Sequence, residues 1–329
     1  MAARLNPVAR DEIVDLRLVA AADLDPVLEE EVAVWHDDLE WDFAKSAQLA
    51  RRFVGVHALS GRVLVVDGRV AGYVYFVFED HKALLGDLYI LHALRTQERE
   101  DLLLRPALDE IFSTPHVTRI EAQLLMLNYA PARVLPRAAE THQFCRNFMR
   151  ADLKKADLGE GTVRRPFYLE NWSDRYSDAA AALIAESYAG HVDGAINDQY
   201  RSPSGAHRFL HNIVAYPGCG TFSQPASYLA FEGGSGQLCG LSLASLVSPE
   251  SGHITQICVS PTVRGTGIGH ALLRQSMLAL RKMECRSVGL TVTSANEGAV
   301  ALYERVGFRT TRQFSAYAWD LGDRPPATP

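Results

Sequence analysis

Apolar residues recur at helical spacing through 23–59, where Val27, Val32, Trp35, Leu39 and Phe43 stand among acids and predict two short surface helices. From Arg62 the period becomes that of a strand. Val63-Leu64-Val65-Val66, a turn at Asp67-Gly68, and 70–78 form a hairpin signal, because Asp-Gly supplies the positive φ angles of a tight hairpin turn. A third strand is expected at 83–91, a helix over 98–112 and a buried strand at 117–127. Three strands, a helix and a strand make one α/β layer arrangement.

The same order returns in the second half: strands at 228–231, 238–247 and 253–260, a helix over 267–283 and a strand at 288–293. Adding 170 to the numbers carries Asp87-Leu88-Tyr89-Ile90 onto 257–260, Leu102-Leu103 onto Leu272-Leu273, Ile120 onto Leu290, and Gln143-Phe144 onto Gln313-Phe314. The chain therefore reads as two copies of one α/β fold with a mixed sheet, residues 1–160 and 161–329, joined near the charged, glycine-containing stretch 154–165.

Between a strand and a helix of the second copy stands Ile257-Cys258-Val259-Ser260-Pro261-Thr262-Val263-Arg264-Gly265-Thr266-Gly267-Ile268-Gly269. Glycine permits backbone angles and close approaches that a Cβ would block. A helix that starts there offers orphan N–H donors and a partial positive charge, so the loop suits an anion. Arg264 adds a full charge. A dinucleotide fingerprint begun at Gly265 would need glycine where His270 stands, and no Gly-Lys-Ser/Thr follows for a P-loop. At the matching positions of the first copy stand Leu94, Arg95, Gln97 and Arg99 in place of Arg264, Gly265, Gly267 and Gly269, and Pro106 falls inside the helix that follows.

Further on, Ser294 and Glu297 are spaced as a capping box, Ala299, Leu302, Tyr303 and Val306 share one helical face, and Gly307 is placed to end that helix. Asn296 and Tyr303 are seven residues apart, which returns to nearly the same face after two turns.

Arg-x-x-Gly-x-Gly after Val-Ser-Pro resembles the acetyl-CoA pyrophosphate loop of the GNAT superfamily of N-acetyltransferases. The stretch Asn296, Leu302-Tyr303, Gly307-Phe308, standing 32 residues after Arg264, resembles a second motif of the same family. The resemblance covers roughly 165–322 by motif and the first half by topology. It implies two tandem GNAT folds, the first a degenerate copy without its cofactor loop and the second catalytic. It implies acetyl-CoA as acyl donor, held by Ile257, Cys258 and Val259 of the strand, by Arg264, Gly265, Thr266, Gly267, Ile268 and Gly269 of the loop, and by Asn296. Tyr303 would donate a proton to the departing thiolate; alternatively it is a core aromatic with a satisfied hydroxyl. Cys258 reads better as a buried structural thiol than as a nucleophile, having no base nearby in sequence.

The implied reaction is direct transfer of an acetyl group to a primary amine, whose ammonium form, with a pKa near about 10.4, must first lose a proton. Several family members carry a carboxylate for this on the strands around the loop. This chain has none there. The candidates are His253, at the start of its strand, and Glu186, His191 and Asp193, with Asp198 nearby, in the segment where the resemblance puts the acceptor. Each has a plainer reading, His253 as a turn cap and the others as a solvated polar loop. The acceptor is left open between a small molecule and a protein amine. The tandem arrangement also looks like that of the mycothiol synthases, which acetylate a cysteinyl conjugate, and a non-catalytic acyl-CoA sensor is the alternative of another class.

Composition narrows the partners. With 33 Lys and Arg against 39 Asp and Glu, the net charge of −6 argues against a nucleic-acid footprint or a polybasic membrane patch. No run approaches a membrane span, and Met1 to Pro7 lacks an apolar leader core, so a cytoplasmic protein is expected, as monomer or homodimer. The five cysteines, at 145, 219, 239, 258 and 285, show no metal-ligand spacing and are expected as reduced thiols, mostly in the core, with no metal site.

Overall fold

The computed structural model describes residues 11–128, 133–216 and 218–321. The segment Met1 to Pro7 lies outside the described residues. The chain forms two compact units: unit 1 is Met1–Val34, Phe43–Gln143 and Phe314–Pro329, and unit 2 is Trp35–Asp42 and Phe144–Gln313. The units interleave along the chain. Strand pairing is the reason: residues from Arg146 to Asp152 pair with Thr293 to Ser287, and residues from Ser315 pair with Leu124 and its neighbours.

Unit 1 carries β1 (Asp11–Asp15), most of α1 (Asp25–Leu39), α2 (Ala44–Gly55), β2 (Ser60–Val66), β3 (Arg69–Glu79), β4 (Lys82–Ile90), α3 (Gln97–Ser113) and β5 (Arg119–Leu124). The expected hairpin is β2–β3, turned by Asp67 at φ 51° and Gly68 at φ 78°. Strands β1 to β4 pair antiparallel in sequence order, β4 and β5 run parallel, and Ser315–Asp320 lies antiparallel to β5. The helices read as superficial bury Val27, Trp35 and Leu39, all under 8% exposed. Helix α3 presses Leu104, Leu108 and Ile111 onto a core with Val74, Leu88 and Ile120, and it continues through Pro106.

Unit 2 carries β6 (Thr141–Asp152, from Phe144), β7 (Phe167–Asn171), α4 (Ser177–Ser187), α5 (Val192–Ile196), α6 (Pro203–Ala215), β8 (Thr221–Phe222), β9 (Tyr228–Glu232), β10 (Leu238–Ser248), β11 (Ser251–Val259), α7 (Ile268–Lys282), β12 (Ser287–Thr293), α8 (Glu297–Val306) and the first part of β13 (Arg309–Asp320). Its strand order is β6-β12-β11-β10-β9-β7, with β8 on β10. Helix α7 buries Leu273, Met277 and Leu280 against Ile254, Val288 and Leu290, while α4 and α6 pack Ile184 and Leu210 on Leu229 and Leu243. Shifted by 170 residues, β3, β4, α3, β5 and β6 fall on β10, β11, α7, β12 and β13 to within two residues, so the repeat read from apolar register is a repeat of elements.

Two features of β11 set up the site. Against β10 its register slips at Thr255, where Leu243 pairs Gln256 and Ala244 pairs Ile254. A bulge re-aims the strand. Against β12 its parallel pairing covers only Ser251–Ile254 with Ser287–Leu290. Past Ile254 the two strands part, and 255–259 has no ladder partner on that side.

Candidate active site

Beyond β11 the chain makes one 3₁₀ turn over Pro261–Val263, capped by the Ser260 hydroxyl, and enters α7 through Gly265 at φ 73° and Gly267 at φ 94°. An L side chain resists both angles. No side chain caps α7, so the N–H groups of its first turn have no partner from a cap. The matching helix of unit 1 is closed by its own residues. Thr96 Oγ1 accepts from the Arg99 N–H at 3.2 Å, and the Arg99 guanidinium is paired with Asp11 at 2.9 Å.

The stretch expected to join the two copies runs across this loop as a strap. The Asp157 N–H donates to Val306 O, Arg274 Nε to Leu158 O, and the Arg164 N–H to Thr266 O, at 2.9, 2.7 and 2.9 Å. A Cβ on Gly267 would lie 2.4 Å from Thr162 O, and one on Gly161 2.6 Å from His270 Nδ1. Glycine at both positions is what lets strap and loop close up.

Strap, loop, β11 and α8 enclose a cleft of about 940 Å³. Val263, Arg264, Gly265, Gly267, Gly269 and His270 line one end; Ile257, Cys258 and Val259 line the wall; Ser187, Tyr188, His191, Asn296 and Tyr303 line the other. Arg164 and Arg305 add positive charge beside the loop end. Burial and the nearby Arg305 and Arg274 hold the His270 imidazole below its ordinary pKa.

At the far end Tyr303 is buried, its ring 5.9 Å from Phe308, and burial followed by the Asp193 charge raises its phenol well above the ordinary range. It keeps its proton at any physiological pH. Across from it, His191 caps α5: Nδ1 lies 3.2 Å from the Asp193 N–H and 3.8 Å from the Asp193 carboxylate, and Nε2 lies 3.2 Å from Asn296 Nδ2. One imidazole proton cannot serve all three contacts. Nδ1 accepts from the Asp193 N–H, and the Asp193 carboxylate stands beyond hydrogen-bond reach of it. Asp193 accepts a hydrogen bond from the Thr293 hydroxyl and stands 3.7 Å from the Arg146 guanidinium. Tyr188 stacks on Tyr200 at 4.5 Å and accepts from Gln256 Nε2 at 3.0 Å.

Other expected site residues fall elsewhere. His253 is 6% exposed, sits between Trp41 at 5.0 Å and Phe148 at 5.9 Å with Nδ1 unpartnered, and does not line the cleft; burial lowers its pKa to about 4. Glu186 is exposed and accepts from the Ser260 hydroxyl at 3.2 Å, so it steadies the entry to the loop. The Arg264 guanidinium donates to Ser187 O at 2.5 Å, at the end of α4. Thr266 and Ile268 do not line the cleft; the Ile268 side chain is 1% exposed in the core beneath α7. Cys258 lines the wall as a neutral thiol, burial pushing it up to about 12. Helix α8 is capped by Asn296, whose Oδ1 accepts from the Ala299 N–H at 3.3 Å. Ser294, expected as the cap, instead donates to Asn147 Oδ1 at 3.1 Å, because β12 holds it in the strand's exit. Of the five free cysteines only Cys239 and Cys285 are buried, and Cys219 is exposed.

Arg146, Tyr188 and the strap were not among the expected site residues. The alternating glycines at 159 and 161 were a legible signal for the strap, since the spacing suits close packing. Nothing local to Arg146 marks it, because its strand pairs across a long stretch of sequence.

Residues 220–308 match the Acetyltransferase (GNAT) family. Over 97 residues the chain is 31% identical to the mycothiol acetyltransferase of Propionibacterium freudenreichii, a match that covers 29% of this chain and 31% of that protein. The shared part is thus about a third of the relative's length. The fold is like that of a GCN5-related N-acetyltransferase from Sphaerobacter thermophilus, with TM-score 0.67 and 18% identity over 97% of this chain and 98% of that one. It is also like that of a tandem GNAT protein from the clavulanic acid biosynthesis pathway, with TM-score 0.59 and 19% identity over 96% and 100% of the two chains. No helix among the described residues is long and apolar enough to cross a membrane.

Proposed function

We propose that unit 2 transfers an acetyl group from acetyl-CoA to an amine, and that unit 1 is a copy without a cofactor site. The observation that carries this is a cleft that joins an uncapped helix start to a protonated phenol along the unpaired edge of β11. Its volume lies in the range of small-molecule sites.

The residues present suit an acyl thioester with a phosphate-bearing tail. Backbone donors from Gly265 to Gly269, with Arg264, Arg164 and Arg305 around them, would hold the phosphates. The peptide groups of Ile257, Cys258 and Val259 would bind the amide-bearing arm. When bound, acetyl-CoA supplies an activated carbonyl and a thiolate leaving group. The chain's own groups then manage protons and position. Tyr303 donates to the leaving sulfur, its raised pKa keeping the proton available. The His191–Asp193 pair, with Asn296 beside the His191 ring, takes the proton of the incoming ammonium. This assigns the base to His191 and Asp193 and leaves His253 and Glu186 structural.

The likeness to a mycothiol acetyltransferase favours a small-molecule acceptor, and an acceptor of the mycothiol type is the second reading. A cytoplasmic, soluble acyltransferase is the setting we propose. Tyr303→Phe keeps the ring against Phe308 and removes the proton, so turnover followed by free thiol should fall by about 10²-fold or more while the Kd for CoA changes little. Equal losses in turnover and in CoA binding would return Tyr303 to a packing role.

A further inference from the structure

Arg146 lies on β6 opposite Thr293, where β12 leaves the sheet, and it is only 9% exposed. A guanidinium offers five donors. Here Nη2 donates to Thr291 Oγ1 at 3.3 Å, Nη1 stands 3.7 Å from Asp193 Oδ1, beyond hydrogen-bond reach, and Nε has no partner. A cation so deeply buried with so few bonds is costly unless an anion completes its shell. Asp193 does so incompletely, being turned towards the Thr293 hydroxyl and His191. The acceptor end of the cleft lies next to it: His191 and Tyr303 line the cleft, Arg146 and Asp193 stand behind them without lining it, and Arg146 is among the charges that act on the Tyr200 and Tyr303 phenols. From Arg146 to Asp193 is 3.7 Å and from Asp193 to His191 3.8 Å, so a cation and a base stand within the reach of one short molecule bearing both an amine and an anion.

We infer that Arg146 receives a carboxylate of the acceptor, and hence that the acceptor is an amino acid or another amine that carries a carboxylate close to the reacting nitrogen. This rests on the acetyl-transfer reading above. The planar guanidinium matches a carboxylate through paired N–H donors, which an amide or ester cannot accept equally well. The carboxylate would sit at Arg146 while the neighbouring ammonium faces Asp193 and His191.

The test is calorimetric titration of the CoA-loaded protein with L-α-amino acids and, in parallel, their α-carboxamides, followed by thiol release with acetyl-CoA and the same pairs. The expected result is that at least one acid binds about tenfold or more tightly than its amide, as loss of a charge-assisted hydrogen bond would require. Arg146→Gln should bring the pair to parity with the Kd for CoA unchanged, and Arg146→Lys should keep part of the preference. Acids and amides bound alike by the wild-type protein would overturn the inference without any variant; so would an unchanged preference in Arg146→Gln. Preferential binding of acids without thiol release would support Arg146 and refute acetyl transfer. Transfer to acids and amides at equal rates would do the reverse.

Discussion

Replacing Gly267 by alanine separates two roles that glycine has in the loop. The residue sits at φ 94°, and an added Cβ would come 2.4 Å from Thr162 O and 3.2 Å from the carbonyl carbon of the same residue. Gly265 is the natural control, because it has φ 73° but nothing within 4 Å of its would-be Cβ. Both substitutions force an L residue into the left-handed region at about 1–2 kcal/mol each. For a chain of this size that lowers the melting temperature by a few degrees, about 2–4 °C per kcal/mol. Only Gly267→Ala adds a clash with main chain, and it must push the strap back by roughly 1 Å to reach ordinary contact. The bond from the Arg164 N–H to Thr266 O, now 2.9 Å, stretches with it, and the N–H groups at the start of α7 turn away from the cleft. Losing one charge-assisted hydrogen bond to a phosphate costs about 1.5–3 kcal/mol, or roughly ten- to a hundredfold in affinity. Titration calorimetry with CoA should therefore show Gly265→Ala within a few-fold of wild type and Gly267→Ala weaker by tenfold or more, with similar melting temperatures. Equal CoA affinities for the two variants would refute the role given to the loop and its strap.

Two further outcomes follow from the placement of the other candidate bases. His253 stays neutral in the folded protein down to about pH 4, whereas an unfolded histidine takes up a proton near its ordinary 6.5. The unfolded state thus binds more protons as pH falls from 6.5 towards 4, and stability declines by at most about 3 kcal/mol across that window. In His253→Phe this part of the decline should vanish in urea titrations at pH 7 and 4.5, and an unchanged pH slope would show that His253 is not shielded. Glu186→Gln keeps an acceptor for the Ser260 hydroxyl, so turnover should stay within about threefold of wild type; a loss of a hundredfold would make Glu186 the base.

Most of the architecture was legible because apolar period and register are local. The Asp67-Gly68 hairpin, the change of period at Arg62 and the offset of 170 residues each needed only a short window. The loop was legible for a related reason, since glycines at 265 and 267 are required by backbone angles that no neighbour can supply. What the sequence hid depends on partners far along the chain. Ser294 carries a sound capping pattern, yet Asn147 claims its hydroxyl and Asn296 caps the helix instead. His253 has the chemistry of a base, but Trp41 and Phe148, each more than a hundred positions away, bury it. Arg146 belongs by order to the first half and by pairing to unit 2, which no local pattern records.

Transfer in the cleft of unit 2, as opposed to mere binding of an acyl-CoA, is open to direct measurement. The direct measurement is to incubate the purified protein with acetyl-CoA and a panel of primary amines, and to count both free thiol and acetylated amine by mass spectrometry. At least one amine should give the two one for one, with the rate lowered by about 10²-fold or more in Tyr303→Phe. Binding of acetyl-CoA with no acetylated amine across the panel would contradict it and make the protein an acyl-CoA sensor.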